Sequence, residues 1–359
     1  MAETKKGRLF DLPETKGTFQ VRGLVSGTKK DKFFKEITTK SQRPMRIVKF
    51  GVNYNEGENG TKTIFVDLQG MEQDNVYFSK RAEKKGEKGD TVKVPWIDRF
   101  SYNREGYRLI GKNIGVKKIV DEKGNLVNDK KVLTDFDACK EIAENLKDGN
   151  SVFIRGNLDY SSFTDDKNKN KRTFTKLVPA QVSLCGEVKF DDKNYVPKNH
   201  FEQTIIFMGI DPEKTDDEKL TGRYVVLAKI VTYSNIEDIE MIIEKKELAQ
   251  KFKKALKPYY AINVHGDIVS SVKTEEVTED DDEWGEKNPM KTTSAPFKTE
   301  FVITGATGSS IDKELYSQEK IEDAIVKINK ANKAEDDFGE DSGEWGNSSD
   351  MDDDEEAGW

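Results

Sequence analysis

The sequence predicts a mainly β protein: two tandem five-stranded barrels, each with a helix between its third and fourth strands, and then a disordered acidic C-terminal tail. Three observations carry that expectation. Short alternating runs rich in β-branched residues recur along both halves, and period-two alternation is the mark of a half-buried strand. The runs come in the same order twice: three strands, one helical stretch, two strands. The last 25 residues, EDDFGEDSGEWGNSSDMDDDEEAGW, hold 12 Asp or Glu and no Lys or Arg. Such a segment cannot bury enough apolar surface to offset its ordering entropy.

Residues 1–16 read as an N-terminal arm. Its apolar patch, Leu9-Phe10-Asp11-Leu12-Pro13, is expected either to dock loosely or to contact a neighbouring copy. Phe19–Val25, Arg46–Tyr54 and Thr63–Leu68 read as the first three strands. Phe136, Cys139, Ile142, Ala143 and Leu146 recur at helical spacing, so Asp135–Leu146 reads as a helix, stopped by Gly149. Ser151–Leu158 is the fourth strand, and Arg172–Val178 with Val182–Leu184 the fifth. These elements make a basic domain, residues 17–190, enlarged by an insertion at 71–131.

A second domain, residues 191–310, repeats the order. Its strands are Phe201–Met208, Tyr224–Thr232 and Ile239–Ile243, then Tyr260–Val269 and Phe297–Ile303 after a helix at Lys246–Leu256. Gly305–Ser310 is glycine-rich, lacks the Lys of a phosphate-binding loop, and reads as a plain loop. Residues 311–334 read as a closing helix with Leu315, Ile321, Ala324, Ile325 and Ile328 on one face, and 335–359 as the tail. A shift of 110 residues lays Val152-Phe-Ile-Arg-Gly156 on Ile262-Asn-Val-His-Gly266 and Leu146 on Leu256. Three strands, a helix and two strands is the order of an OB barrel, and a Gly in each fourth strand suits the bend that closes one.

Charge is uneven. The chain has 59 basic and 67 acidic residues, a net charge of −8. Residues 1–190 hold 38 basic against 27 acidic residues, net +11, and residues 191–334 hold 21 against 28, net −7. A basic first half joined to an anionic strip suggests a polyanion binder that carries its own competitor. Cys139, Cys185, His200 and His265 are scattered, so no metal site or cofactor is expected, and two histidines leave little acid–base chemistry for an enzyme. No apolar run reaches the roughly 18–20 residues of a membrane span and no signal peptide opens the chain, which predicts a cytoplasmic protein.

Single-stranded nucleic acid is held by Lys and Arg along a groove and by aromatic faces that stack on bases. Three stretches mix both types. The first runs through Lys29, Lys30, Lys32, Phe33, Phe34 and Lys35 to Arg43, Arg46, Lys49 and Tyr54. Adjacent aromatics on a strand point opposite ways, so at most one of Phe33 and Phe34 is expected in the core. The second is Trp96, Arg99, Phe100, Tyr102, Arg104, Tyr107 and Arg108, which reads equally as a small core for the insertion. The third is the loop between the fourth and fifth strands, with Tyr160, Phe163, Lys167, Lys169, Lys171, Arg172 and Phe174. The matching loop of the second half, Val272–Ala295, is acidic, so that half is expected to be a packing or protein-contact module, or else its acidic loop to screen a site elsewhere.

Leu146-Lys-Asp-Gly-Asn-Ser-Val-Phe-Ile-Arg-Gly-Asn-Leu-Asp-Tyr160 resembles the fourth-strand region of bacterial single-stranded DNA-binding proteins. The ending DDDEEAGW is similar to the acidic, aromatic-terminated tails of that family and of its phage counterparts. Two barrels, a long insertion and a final Trp depart from the bacterial pattern and make a phage replication protein the nearer match. The resemblance implies coating of single-stranded DNA in replication, recombination and repair. It also implies recruitment of a polymerase, primase or helicase through Asp352, Asp353, Asp354, Glu355, Glu356 and Trp359, with self-association open. An RNA-binding protein with the same groove, or a virion structural protein, are the alternatives.

Overall fold

A computed structural model describes residues 8–338 except 58–59, 83, 85–86, 88, 165–170, 216 and 273–296. The chain is mainly β, as expected. Its first-half strands are β1 (Gly17–Ser26), β2 (Phe34–Thr38), β3 (Pro44–Asn55) and β4 (Thr61–Met71). The region from 71 to 133 adds β5 (Asn75–Lys80), β6 (Asp90–Pro95), β7 (Tyr107–Leu109), β8 (Lys112–Gly115), β9 (Lys118–Val120), β10 (Leu126–Asn128) and β11 (Lys131–Leu133). Helix α1 (Asp135–Asn145) and the long hairpin β12 (Ser151–Thr164) and β13 (Lys171–Leu184) follow. The second half is β14 (Lys198–Lys214), β15 (Leu220–Val231), β16 (Ile236–Ile243), α2 (Lys246–Ala255), β17 (Tyr260–Val272), β18 (Phe297–Asp312) and α3 (Gln318–Phe338).

The alternation read from the sequence sets the strands. In β1, Phe19, Val21 and Val25 point inward, while Thr18, Gln20 and Arg22 point out. Three boundaries need correction. The fifth strand is one piece rather than two: the register shift at Arg155/Gly156 is a bulge that leaves Ala180 unpaired, next to Pro179, which has no N–H to offer the ladder. Gly305–Ser310 is not a loop but lies within β18, paired to β17 through His265–Gly305 and Asn263–Thr307. The closing helix starts at Gln318 and not at Ile311, which still belongs to β18.

Two separate closed barrels are not what the sheet shows. In the second half the ladders run round a ring, β14–β15–β16–β18–β17 and back to β14, with β16 and β18 parallel at Ile242–Val302. In the first half the ring is open between β4 and β13. There β13 takes β8 as its parallel neighbour, pairing Val182 with Ile114, so the insertion supplies the strand. Strand β1 belongs to both halves. It pairs β12 on one side and β14 on the other, and its last residues turn to β3. One buried cluster accordingly spans both halves, from Phe19 and Tyr54 to Phe207 and Ile268.

The N-terminal arm neither docks loosely nor waits for a second copy. Phe10 and Leu12 are each only 4% exposed, packed with Ile206, Ile236, Tyr316 and Ile321 between the second half and α3. Thr15 exchanges hydrogen bonds with Val231: its N–H donates to the Val231 carbonyl and its Oγ1 accepts the Val231 N–H, both at 3.0 Å. The Tyr316 hydroxyl donates to the Pro13 carbonyl at 3.0 Å. Among the described residues no helix is long and apolar enough to cross a membrane.

Candidate nucleic-acid interface

The loop after β1 is pinned at its base. The Thr28 N–H donates to Asp148 Oδ1 at 2.8 Å, and the Asp148 N–H returns to Thr28 Oγ1 at 3.1 Å. Beyond that anchor Lys29, Lys30, Lys32 and Lys35 are exposed, and none forms an ion pair among the described residues. Phe33 turns inward and meets Phe50 edge-on at 6.5 Å, so it is a core residue and not a stacking platform. Phe34 is half-buried against the same core.

Strand register then builds a single outward face. Lys35 lies opposite Ile47, which lies opposite Gln69; Lys49 lies opposite Asp67; Gly51 lies opposite Phe65. Residues directly opposite in an antiparallel pair point to the same side. Lys35, Lys49 and Phe65 therefore share one surface, and the Phe65 ring is 50% exposed. The sequence reading missed Phe65, although Ile64, Val66 and Leu68 all point inward and the alternation leaves Phe65 outside.

Several other expected contacts are engaged within the chain. Arg43 is bidentate to Asp74 at 3.0 Å. Arg46 pairs with Glu36 at 2.6 Å and lies 3.7 Å over the Phe136 ring. Lys49 pairs with Asp67 at 3.2 Å. Much of the formal charge of the first half is thus neutralised locally. Tyr54 is fully buried, and the expectation that it stacks on a base is overturned. Its hydroxyl lies 3.0 Å from Glu56 Oε1 and accepts the Ser270 N–H at 3.4 Å; burial and the Glu56 carboxylate push its pKa up.

The second stretch folds as the insertion's own core. Trp96 packs edge-on to Phe136 at 5.9 Å with Val76, Phe78 and Val94, and is buried, not offered to a base. Arg99 is held by Asp137 at 2.8 Å and lies 4.2 Å over the Trp96 ring. Tyr102 sits 4.6 Å from Phe78. Arg104 covers Tyr107, whose hydroxyl donates to Asp90 and whose pKa that carboxylate raises. Arg108 and Phe100 remain exposed.

The third stretch divides along its length. Tyr160 is buried, with its hydroxyl donating to Gln203 Oε1 at 3.1 Å, so it too is a core residue rather than a stacking one. Past it, alternation turns Phe163 and Phe174 outward, 37% and 50% exposed. Ser161 lies opposite Phe174 and Phe163 opposite Arg172, which places the two rings diagonally on one face. Lys171 and Arg172 open β13. Lys167 and Lys169 lie outside the described residues, as do Asp352, Asp353, Asp354, Glu355, Glu356 and Trp359.

A family model described as YorF matches residues 81–341. The chain belongs to the YorF family. No curated protein sequence matches it. Two solved structures of the single-stranded DNA-binding protein from Thermus aquaticus resemble it, both at 9% identity and over 82% of this chain. The wild-type structure matches over 93% of its own length with a TM-score of 0.40, and a deletion mutant over 94% with a TM-score of 0.38.

Proposed function

We propose that this chain binds single-stranded DNA with little sequence choice, coats it during replication, recombination and repair, and belongs to a phage. One observation carries the reading. Four exposed lysines without ion pairs among the described residues, Lys29, Lys30, Lys32 and Lys35, border an outward β-surface that presents the Phe65 ring. Cations that follow phosphates beside a ring that stacks on a base are what a single strand needs. Phe163 and Phe174 add stacking surface on the second hairpin, whose second strand opens with Lys171 and Arg172; in the sequence Lys167 and Lys169 come between its two strands. In an OB barrel the loop after the first strand and the loop between the fourth and fifth strands flank the cleft.

The acidic tail has two separable roles. Its 12 carboxylates compete with DNA phosphates at low salt. Its Trp359, close to Asp352, Asp353, Asp354, Glu355 and Glu356, fills an apolar pocket flanked by Arg or Lys on a polymerase, primase or helicase. Filter binding of the full chain to single-stranded DNA, blunt duplex and RNA of equal length tests the reading. Tightest binding to single-stranded DNA, weakening steeply with salt, is expected; equal affinity for the duplex would refute it. Removing Glu335–Trp359 should tighten DNA binding at low salt, whereas Trp359→Ala should leave DNA affinity unchanged and weaken capture of a replication enzyme.

A further inference from the structure

Helices α1 and α2 hold equivalent places, and their buried faces match. Ala138, Cys139, Ile142 and Leu146 face the core from the first; Leu248, Ala249, Phe252 and Leu256 do so from the second. Their outer faces differ in charge. On α1, Asp135, Asp137, Glu141 and Glu144 are each ion-paired, to Lys112, Arg99, Lys131 and Lys140. On and beside α2, Lys245, Lys246, Lys251, Lys253, Lys254 and Lys257 are all exposed, and none forms an ion pair among the described residues. Lys253 only lies over the Tyr224 ring, at 5.7 Å. Glu244 and Glu247 are the acidic residues within this stretch.

Helix stability does not account for this crowding. The helix macrodipole favours Lys253 and Lys254 in the last turn, but opposes Lys245 and Lys246 at the first. Like charges that are neighbours on the helix surface, such as Lys251 and Lys254 three apart, repel. The macrodipole offsets Lys253 and Lys254 and Glu247 stands four residues before Lys251, yet six exposed lysines with no ion pair among the described residues outnumber the two carboxylates beside them and fit a polyanion from outside. A phosphodiester backbone suits them: lysines contact phosphates as flexible point charges and need no fixed spacing.

We propose that the outer face of α2 is a second phosphate-binding surface for the same single strand, which would run from the first half onto the second. This rests on the single-stranded DNA reading above, and revises the expectation that the net-acidic second half takes no part in DNA binding.

The test is the salt dependence of DNA affinity in the full chain carrying Lys246→Gln, Lys251→Gln, Lys253→Gln and Lys254→Gln together. Gln keeps helix propensity close to that of Lys, and an unchanged melting curve establishes that the variant is folded. Each phosphate contact adds about 0.7 to the slope of log K against log salt on a single strand. The slope should therefore fall by about 2–3, with affinity lost about tenfold or more at 50 mM salt and little lost at high salt. A folded variant with the wild-type slope would overturn the inference and leave the function reading standing. Wild-type protein that fails to bind single-stranded DNA would remove both. The measurement is repeated in a full chain whose tail carboxylates are changed to amides. The α2 effect should persist there; if it vanishes, the lysines serve the chain's own tail and not DNA.

Discussion

Gly156 and Gly266 stand 110 residues apart and occupy the same bulge in the two halves. A Cβ on Gly156 would lie 2.0 Å from the Val178 carbonyl oxygen, and one on Gly266 would lie 1.9 Å from that of Val302. The β12–β13 register slips at Arg155/Gly156 and the β17–β18 register at His265/Gly266. Each glycine therefore sits where its strand bends and a neighbouring backbone approaches closely. The obstacle is main chain, which cannot swing aside as a side chain does. Gly156→Ala and Gly266→Ala should each destabilise the protein by about 1–3 kcal/mol or more, read as a lower midpoint in urea unfolding.

Buried and exposed aromatics should separate cleanly in a mutational series. Phe65→Ala, Phe163→Ala and Phe174→Ala should each weaken single-stranded DNA binding by about 1–3 kcal/mol per lost stack, with no change in melting temperature. Tyr160→Phe should do the reverse. It leaves the buried Gln203 oxygen without its donor, at a cost of about 1–3 kcal/mol in stability, and leaves the affinity of the folded fraction unchanged. Fluorescence anisotropy and thermal melts on the same samples check both.

The arm should behave as part of the core. Phe10→Ala removes a buried ring from the cluster it shares with Tyr316 and Ile321, so a loss of about 3–5 kcal/mol is expected. Hydrogen exchange should show α3 and the Val231 end of β15 losing protection together. Retained protection there would mean that the arm contributes little.

The two cysteines should differ sharply towards a thiol reagent. Cys139 is buried, with its Sγ–H directed at the Leu68 carbonyl at 3.3 Å. Burial first, and then the Asp135 and Asp67 carboxylates, push its thiol up from 9.0 to about 12. A raised folded value keeps the neutral thiol, so the stability linked to it is complete below pH 9 and lost as pH rises towards 12. The thiolate is the reactive form. At pH 8 one equivalent, Cys185, should react in the native protein, and Cys139 only after unfolding.

The sequence by itself determined the ten strands and two helices of the repeated order and the closing helix, because alternation and helical spacing are local properties of the chain; β2 and the short strands β5–β11 of the insertion were not read from it. It also determined the internal repeat, through Gly156 and Gly266, and the separation of charge between halves and tail. Only the tertiary structure decided closure: β8, from within the insertion, takes the place beside β13, and β1 joins the halves by pairing on both edges. Which aromatics face outward was legible wherever a strand's register was clear, as at Phe65. The alternation of Phe50 and Val52 with Tyr54, and of Ile154 and Leu158 with Tyr160, likewise pointed those two rings inward. The direction was hidden at Phe33 and Trp96, because what covers them comes from elsewhere in the fold. Formal charge misled for the same reason. Arg43, Arg46, Lys49 and Arg99 count as free cations in a sequence, but an ion pair forms only when folding brings Asp74, Glu36, Asp67 and Asp137 within reach. The lysines of α2, by contrast, form no ion pair among the described residues.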